Sequence, residues 1–121
     1  MKTILVVEDM SSQQLLISKL LTNSGFEVVS LSDAETAWTW LKNNTSPNLI
    51  LLDIIMPGQN GLDLCRVIRK EERFKHIPIV FCSSKSQESD KFWALRQGGD
   101  AYITKPFSPK ELVDTVYQHI N

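Results

Sequence analysis

Four apolar residues, Leu49-Ile50-Leu51-Leu52, run straight into Asp53, and Pro57-Gly58 turns the chain a few residues later. No other stretch limits the possible folds as tightly. A continuous apolar run bounded by a turn signal reads as a strand buried on both faces. Such strands belong to parallel sheets covered by helices. Asp53 then stands at the strand's carboxyl end, where open α/β sheets bind their ligands.

The rest of the chain supplies the covering elements. Thr3 to Val7 is a first short apolar strand ending at two adjacent acids, Glu8 and Asp9. Ser11 with Gln14 reads as a capping box for a helix carrying Leu15, Leu16, Leu20 and Leu21, and Gly25 is its natural stop. Phe26 to Leu31 reads as a second strand, and Ser32 with Glu35 as the start of a second helix carrying Ala37, Trp38 and Leu41. Asn48 to Leu52 is the third strand. Gly61 to about Lys70 is a helix with Leu64, Val67 and Ile68 inward, and its tail Arg69-Lys70-Glu71-Glu72-Arg73 reads as solvated. Ile77 to Cys82 is a fourth strand, Asp90 to Gln97 a fourth helix and Ala101 to Thr104 a fifth strand. Ser108-Pro109-Lys110-Glu111 opens the last helix with a cap, a proline at the first helical position and a glutamate at the third.

Strand and helix thus alternate five times. That pattern implies a parallel sheet with helices on both faces. The expected fold is a flavodoxin-like (βα)5 three-layer sandwich, its strands ordered 2-1-3-4-5, as one domain over residues 1–121. In that order the ends of the first and third strands lie side by side, which brings Glu8, Asp9 and Asp53 together.

Charge and cysteine usage narrow the function. Thirteen basic against fourteen acidic residues give a net charge of −1, so there is no electrostatic case for nucleic acid or an anionic membrane. No apolar run approaches the ~20 residues of a membrane span, and the start lacks a signal peptide's features. Cys65 and Cys82 make neither a disulfide framework nor a zinc site; they read as packed thiols in a reducing cytoplasm. His76 and His119 read as surface residues.

Four strand ends carry polar residues that converge in this fold: Glu8 and Asp9, Asp53, Ser83 and Lys105. Three carboxylates repel one another and need compensation. Hard oxygen donors suit Mg²⁺, Lys105 adds a mobile point charge and Ser83 a hydroxyl. Such a site can receive a phosphoryl group, with Asp53 as nucleophile and cationic partners neutralising the transferring oxygens. Each residue alone has an ordinary reading, as a loop acid, a turn cap, a structural hydroxyl or a surface lysine; their register argues against it.

Four motifs carry a family resemblance: Val6-Val7-Glu8-Asp9; Asp53-Ile54-Ile55-Met56-Pro57-Gly58 with Gly61; Phe81-Cys82-Ser83-Ser84; and Asp100-Ala101-Tyr102-Ile103-Thr104-Lys105-Pro106-Phe107. Thirty residues separate Asp53 from Ser83, and twenty-two separate Ser83 from Lys105. Over its whole length the chain resembles a receiver domain of a two-component response regulator. The resemblance implies that Asp53 accepts a phosphoryl group from a histidine kinase or phosphotransfer protein, and that the chain is not an enzyme beyond its own phosphorylation and dephosphorylation. It implies Mg²⁺ held by Asp9, Asp53 and the Ile55 backbone carbonyl, with Glu8 acting mostly through water. Ser83 and Lys105 would contact the phosphoryl group, Lys105-Pro106 would be cis, and Tyr102 would be a switch aromatic. The output surface would be the fourth helix, fifth strand and fifth helix.

The stretch Ile77 to Phe107 further resembles stand-alone receivers of chemotaxis-like systems for twitching motility and phototaxis. The sequence ends at Asn121 after the last helix; read as a full protein, it is expected to signal by binding a partner or by competing for phosphoryl groups, and read as an excised domain, its output lies outside this sequence. Ile55 and Lys85 fall at positions beside the hydrolytic water in this family. A branched apolar residue and a long lysine there predict slow self-dephosphorylation. Trp38, Trp40 and Trp93 all lie away from Asp53 in sequence, so tryptophan quenching is expected to report Mg²⁺ poorly.

Three other functions share part of this pattern. A flavin mononucleotide carrier of this fold needs a phosphate-cradling loop after the first strand, where Glu8-Asp9 would repel phosphate. A phosphatase of the haloacid dehalogenase type needs Asp-x-Asp there, which Glu8-Asp9-Met10 lacks. A receiver-like module that binds partners without phosphorylation keeps no need for the acids that are present.

Overall fold

A computed structural model describes residues 1–121. Five strands, β1 (Thr3–Val7), β2 (Glu27–Leu31), β3 (Leu49–Leu52), β4 (Ile79–Ser83) and β5 (Ala101–Thr104), form one parallel sheet in the order β2-β1-β3-β4-β5. Five helices follow them in turn: α1 (Ser11–Asn23), α2 (Ala34–Asn43), α3 (Gly61–Lys70), α4 (Glu88–Arg96) and α5 (Pro109–His119). This is the flavodoxin-like sandwich that the alternation predicts.

Side chains alternate across each strand, and the two apolar sets follow. Leu5, Val7, Ile50, Leu52, Ile79 and Phe81 pack against α2, α3 and α4 through Ala37, Leu41, Leu64, Ile68 and Ala94. Ile4, Val6, Leu49, Leu51, Val80 and Cys82 pack against α1 and α5 through Ile17, Leu21, Leu112 and Val116. β3 is central and buried at all four positions, which is why its sequence runs apolar without alternation. Cys65 and Cys82 are free and buried, as expected. Burial pushes the Cys65 thiol up to about 11 and the Cys82 thiol to about 12.

Several boundaries differ from the sequence reading, each for a local reason. β2 begins at Glu27 rather than Phe26, because Glu27 N–H makes the first bond across to the Lys2 carbonyl. β3 begins at Leu49, one residue later than read. β4 runs Ile79–Ser83 rather than Ile77 to Cys82: Pro78 has no N–H to give, and Ser83 pairs with Thr104. α4 starts at Glu88 and ends at Arg96, because the Asp90 carboxylate accepts the Gln87 N–H at 3.1 Å and so closes the first turn there.

Two expected caps are wrong. α2 is capped by Asp33, whose carboxylate accepts the Thr36 N–H at 2.7 Å, and not by Ser32 with Glu35. α1 is preceded by Met10 and has no side-chain cap; Ser11 already lies in the helix. α5 matches its reading, with Ser108 Oγ accepting the Glu111 N–H at 3.1 Å.

The tail of α3 is not simply solvated. Arg69 donates to the carbonyls of Gly98 at 2.9 Å, Lys75 at 3.0 Å and Ile77 at 2.7 Å. It also pairs with Asp100 at 2.9 Å. One guanidinium thus ties α3 to the entries of both β4 and β5. Arg73 likewise donates to the Lys42 and Asn44 carbonyls at the end of α2. Val67 is only half-buried, between the inward Leu64 and Ile68.

Candidate functional site

The loops after β1 and β3 lie side by side because their strands pair directly, Val7 opposite Leu52. The main-chain ladder continues one residue further, with Asp53 N–H donating to the Val7 carbonyl at 3.1 Å. This fixes where Asp53 leaves the sheet. Carboxylate oxygens of Glu8, Asp9 and Asp53 all lie within 4.8 Å of one another. Glu8 and Asp53 are buried, at 2% and 8% exposure, while Asp9 is open to solvent.

Lys105, at the end of β5, reaches across to both buried acids. Its Nζ donates to Glu8 Oε1 and, at 3.1 Å, to Asp53 Oδ2. Asp53 Oδ1 is held from the other side by the Ile54 N–H at 2.7 Å and the Ile55 N–H at 3.3 Å. Glu8 Oε2 accepts the Met10 N–H at 3.1 Å. Burial lifts the Glu8 carboxyl above the usual carboxylate range, against the pull of Lys105 and the Met10 N–H, and the Asp53 charge adds to the lift. For Lys105, burial acts downward, but its bonds to Glu8 and Asp53 outweigh it and hold the ammonium above its ordinary value. Three carboxylates therefore face one certain cation. Hard oxygen donors with excess negative charge are the set that a small divalent cation completes.

A cleft of about 220 Å³ opens over this cluster, lined by Asp9, Met10, Gln13, Asp53, Ile55, Ser84 and Lys105. Ser83 is fully buried beside it, and its Oγ accepts the Lys85 N–H at 3.3 Å. Tyr102 is half-buried, and its hydroxyl donates to the Lys85 carbonyl at 2.6 Å. The loop after β4 is thus tied at Lys85 to both Ser83 and Tyr102. Lys105-Pro106 is cis, as the resemblance implies. Of the two residues expected near a hydrolytic water, Ile55 is half-exposed and lines the cleft. The Lys85 ammonium instead faces Asp90, at 3.9 Å. Met10, Gln13 and Ser84 join the site in the structure; in the sequence, Met10 and Gln13 are marked only by following Asp9 within one helical turn, and Ser84 only by closing the motif that contains Ser83.

Gly61 opens α3 directly beneath Asp53. A Cβ there would sit 2.0 Å from the Asp53 carbonyl oxygen and 2.9 Å from its carbonyl carbon. Both are main-chain atoms, so the backbone that carries Asp53 would have to move. Gly61→Ala is expected to cost about 1–3 kcal/mol of stability, read by urea denaturation. A variant as stable as the wild type would show that α3 shifts freely.

The converging acids, the bridging lysine and the buried serine sit on the fold that the four motifs implied. Residues 4–117 match the response regulator receiver domain family. The chain belongs to that family. Receiver domains take a phosphoryl group on an aspartate and work as the regulated half of two-component systems. The phosphate regulon transcriptional regulatory protein PhoB of Klebsiella pneumoniae is 40% identical to this receiver over 112 residues, covering 93% of the receiver and 48% of PhoB. The receiver thus spans about half the length of the curated relatives it matches. Among solved structures, the BeF3-activated N-terminal receiver domain of Klebsiella pneumoniae RstA superposes with a TM-score of 0.89 at 30% identity, covering 98% of this chain and 97% of that one. The Mn²⁺-bound form of response regulator Rcp1 superposes with a TM-score of 0.83 at 29% identity, covering 98% and 91%. No helix of this receiver is long and apolar enough to cross a membrane.

Proposed function

We propose that this receiver accepts a phosphoryl group on Asp53 from a partner's phosphohistidine in a Mg²⁺-dependent reaction. The convergence of Glu8, Asp9 and Asp53 within 4.8 Å, bridged by Lys105, carries the reading. Asp9, Asp53 and the Ile55 carbonyl would hold the cation directly and Glu8 through water. When bound, the cation supplies charge neutralisation at the transferring phosphoryl oxygens. The Mn²⁺-bound relative supports a divalent cation here.

The chain's own residues set up the transfer. An Asp53 carboxylate oxygen attacks phosphorus; the O–P bond forms as the donor's N–P bond breaks, and the donor imidazole keeps the electron pair. Two main-chain N–H groups fix Asp53 Oδ1, so the carboxylate presents itself without a rotational search. Lys105 stabilises charge on the phosphoryl oxygens. Ser83 Oγ is engaged by the Lys85 N–H and would turn from it to bond the phosphoryl group. Turning breaks that bond and releases the Lys85 end of the loop, to which Tyr102 is tied. Tyr102 thereby conveys the state of Asp53 to the face formed by α4, β5 and α5. On α4, Phe92, Trp93 and Leu95 are about half exposed and available to an output partner there. The resemblance of Ile77 to Phe107 to receivers of chemotaxis-like systems supports a cytoplasmic role in motility or phototaxis.

The test is intact-protein mass after incubation with acetyl phosphate. A gain of one phosphoryl group with Mg²⁺, absent with EDTA, supports the reading. No gain from either acetyl phosphate or a phosphorylated histidine kinase would leave a module that binds partners without phosphorylation.

Lifetime of the acyl phosphate gives a further expectation. Ile55 lines the cleft and offers water no hydrogen bond. Ile55→Asn, which can hold a water, should shorten the lifetime by up to about tenfold, the equivalent of one hydrogen bond. The decay of the phosphorylated mass peak measures it, and an unchanged or longer lifetime refutes the idea.

A further inference from the structure

Gln14 is free of the capping role that its spacing from Ser11 suggests, and its side chain is committed elsewhere. Its amide nitrogen donates to the main-chain carbonyl of Glu8 and, at 3.1 Å, to Ser32 Oγ. We propose that Gln14 is a positioning residue for the cation site, holding the Glu8-Asp9 loop so that Asp9 aims into the cleft. The inference rests on reading the acidic cluster as a divalent-cation site.

The sheet's grip ends where Glu8 N–H donates to the Leu31 carbonyl at 2.9 Å. The grip of α1 begins where Gln14 N–H donates to the Met10 carbonyl at 2.9 Å. Between them the Glu8 carbonyl has a side-chain donor, Gln14, in place of a ladder or helix partner. The Glu8 carboxylate is already fixed at both oxygens, by Lys105 and the Met10 N–H. Asp9 is different: it is exposed, and its carboxylate makes no hydrogen bond within the chain. The direction of Asp9 is therefore set by the peptide that precedes it, whose carbonyl Gln14 holds. A neutral amide does this without adding a cation to compete for the three carboxylates. Its second bond, to Ser32, braces the clamp against the loop after β2.

Direct cation binding tests the inference, with Mn²⁺ as the probe and free Mn²⁺ followed by electron paramagnetic resonance. No tryptophan lines the cleft, so this signal is preferable to quenching. Gln14→Leu removes the donor at similar size and should weaken Mn²⁺ binding by about tenfold, at the low end for groups that orient metal ligands. Gln14→Ala, which deletes the amide without adding apolar bulk, should repeat the loss. Ser18→Ala is the control. It breaks the polar side-chain link between α1 and β2, Ser18 Oγ to Ser30 Oγ at 2.9 Å, and should bind Mn²⁺ as the wild type does. Wild-type affinity in both Gln14 variants overturns the proposal. An equal loss in Ser18→Ala also overturns it, by assigning the effect to a loosened α1. A wild type that binds no Mn²⁺ overturns the cation-site reading itself, and this inference with it.

Discussion

Asp53→Asn is expected to gain no phosphoryl group from acetyl phosphate and Mg²⁺ under conditions where the wild type is expected to gain one. An amide oxygen is not a nucleophile of comparable strength, and no second carboxylate can replace it. Glu8 is sealed at 2% exposure with both oxygens bonded, and Asp9 stands on a different strand end. The substitution also removes one of three mutually repelling charges. The Asp53 charge helps raise the Glu8 carboxyl, so its removal should lower the Glu8 pKa and raise the Tm without metal. Loss of uptake together with a maintained or higher Tm separates lost chemistry from lost folding. Phosphoryl uptake by the variant at the wild-type level would place the acceptor elsewhere.

Lys105→Met should slow phosphoryl uptake roughly 10²–10³-fold, the scale for losing one oriented charge-stabilising donor. The folded state should suffer as well, because two buried carboxylates lose their shared cation. The sign of its pH dependence follows from Glu8. Burial already raises that carboxyl, and without Lys105 it rises further. A carboxyl whose folded pKa lies above its unfolded value loses stability as pH climbs from the unfolded value through the folded one. The variant's deficit against the wild type should therefore be small in mild acid and grow toward neutral pH. Added Mg²⁺ should recover part of it by restoring positive charge. Thermal melts at several pH values, with and without Mg²⁺, measure this. A deficit that is the same at every pH would assign the effect of Lys105 to packing of its stem.

Much of the protein is legible in its residue order, for identifiable reasons. The unbroken apolar run before Asp53 could only be a strand covered on both sides, and β3 is buried at every position. Strand and helix alternation leaves few topologies open, and the observed order is the expected one. The site residues follow directly: in a parallel sheet all carboxyl ends lie on one edge, so polar residues ending successive strands must meet. Caps were less legible. Ser11 with Gln14 and Ser32 with Glu35 have capping-box spacing, yet Gln14 and Ser32 bond to each other across two loops. Asp33 takes the cap of α2 instead. Spacing reports what a side chain can reach along its own helix and is silent on partners brought in by the fold. Arg69 shows the same limit. In a run of charges it looks like solvated surface, but four oxygens from the two segments leading into β4 and β5 surround its guanidinium.

The sequence by itself determined the fold class, the strand order and which strand-end residues the sheet brings together. Those depend on hydrophobic periodicity and chain direction, which are local properties. Only the tertiary structure decided which groups are held and which are free. Ser83 is buried and turned to the Lys85 N–H, Lys85 faces Asp90 rather than Asp53, and the Asp53 carbonyl leaves no room for a Cβ at Gly61. These outcomes depend on contacts between residues distant in the chain, or on one rotamer among several, and are selected only when the packed neighbours are in place.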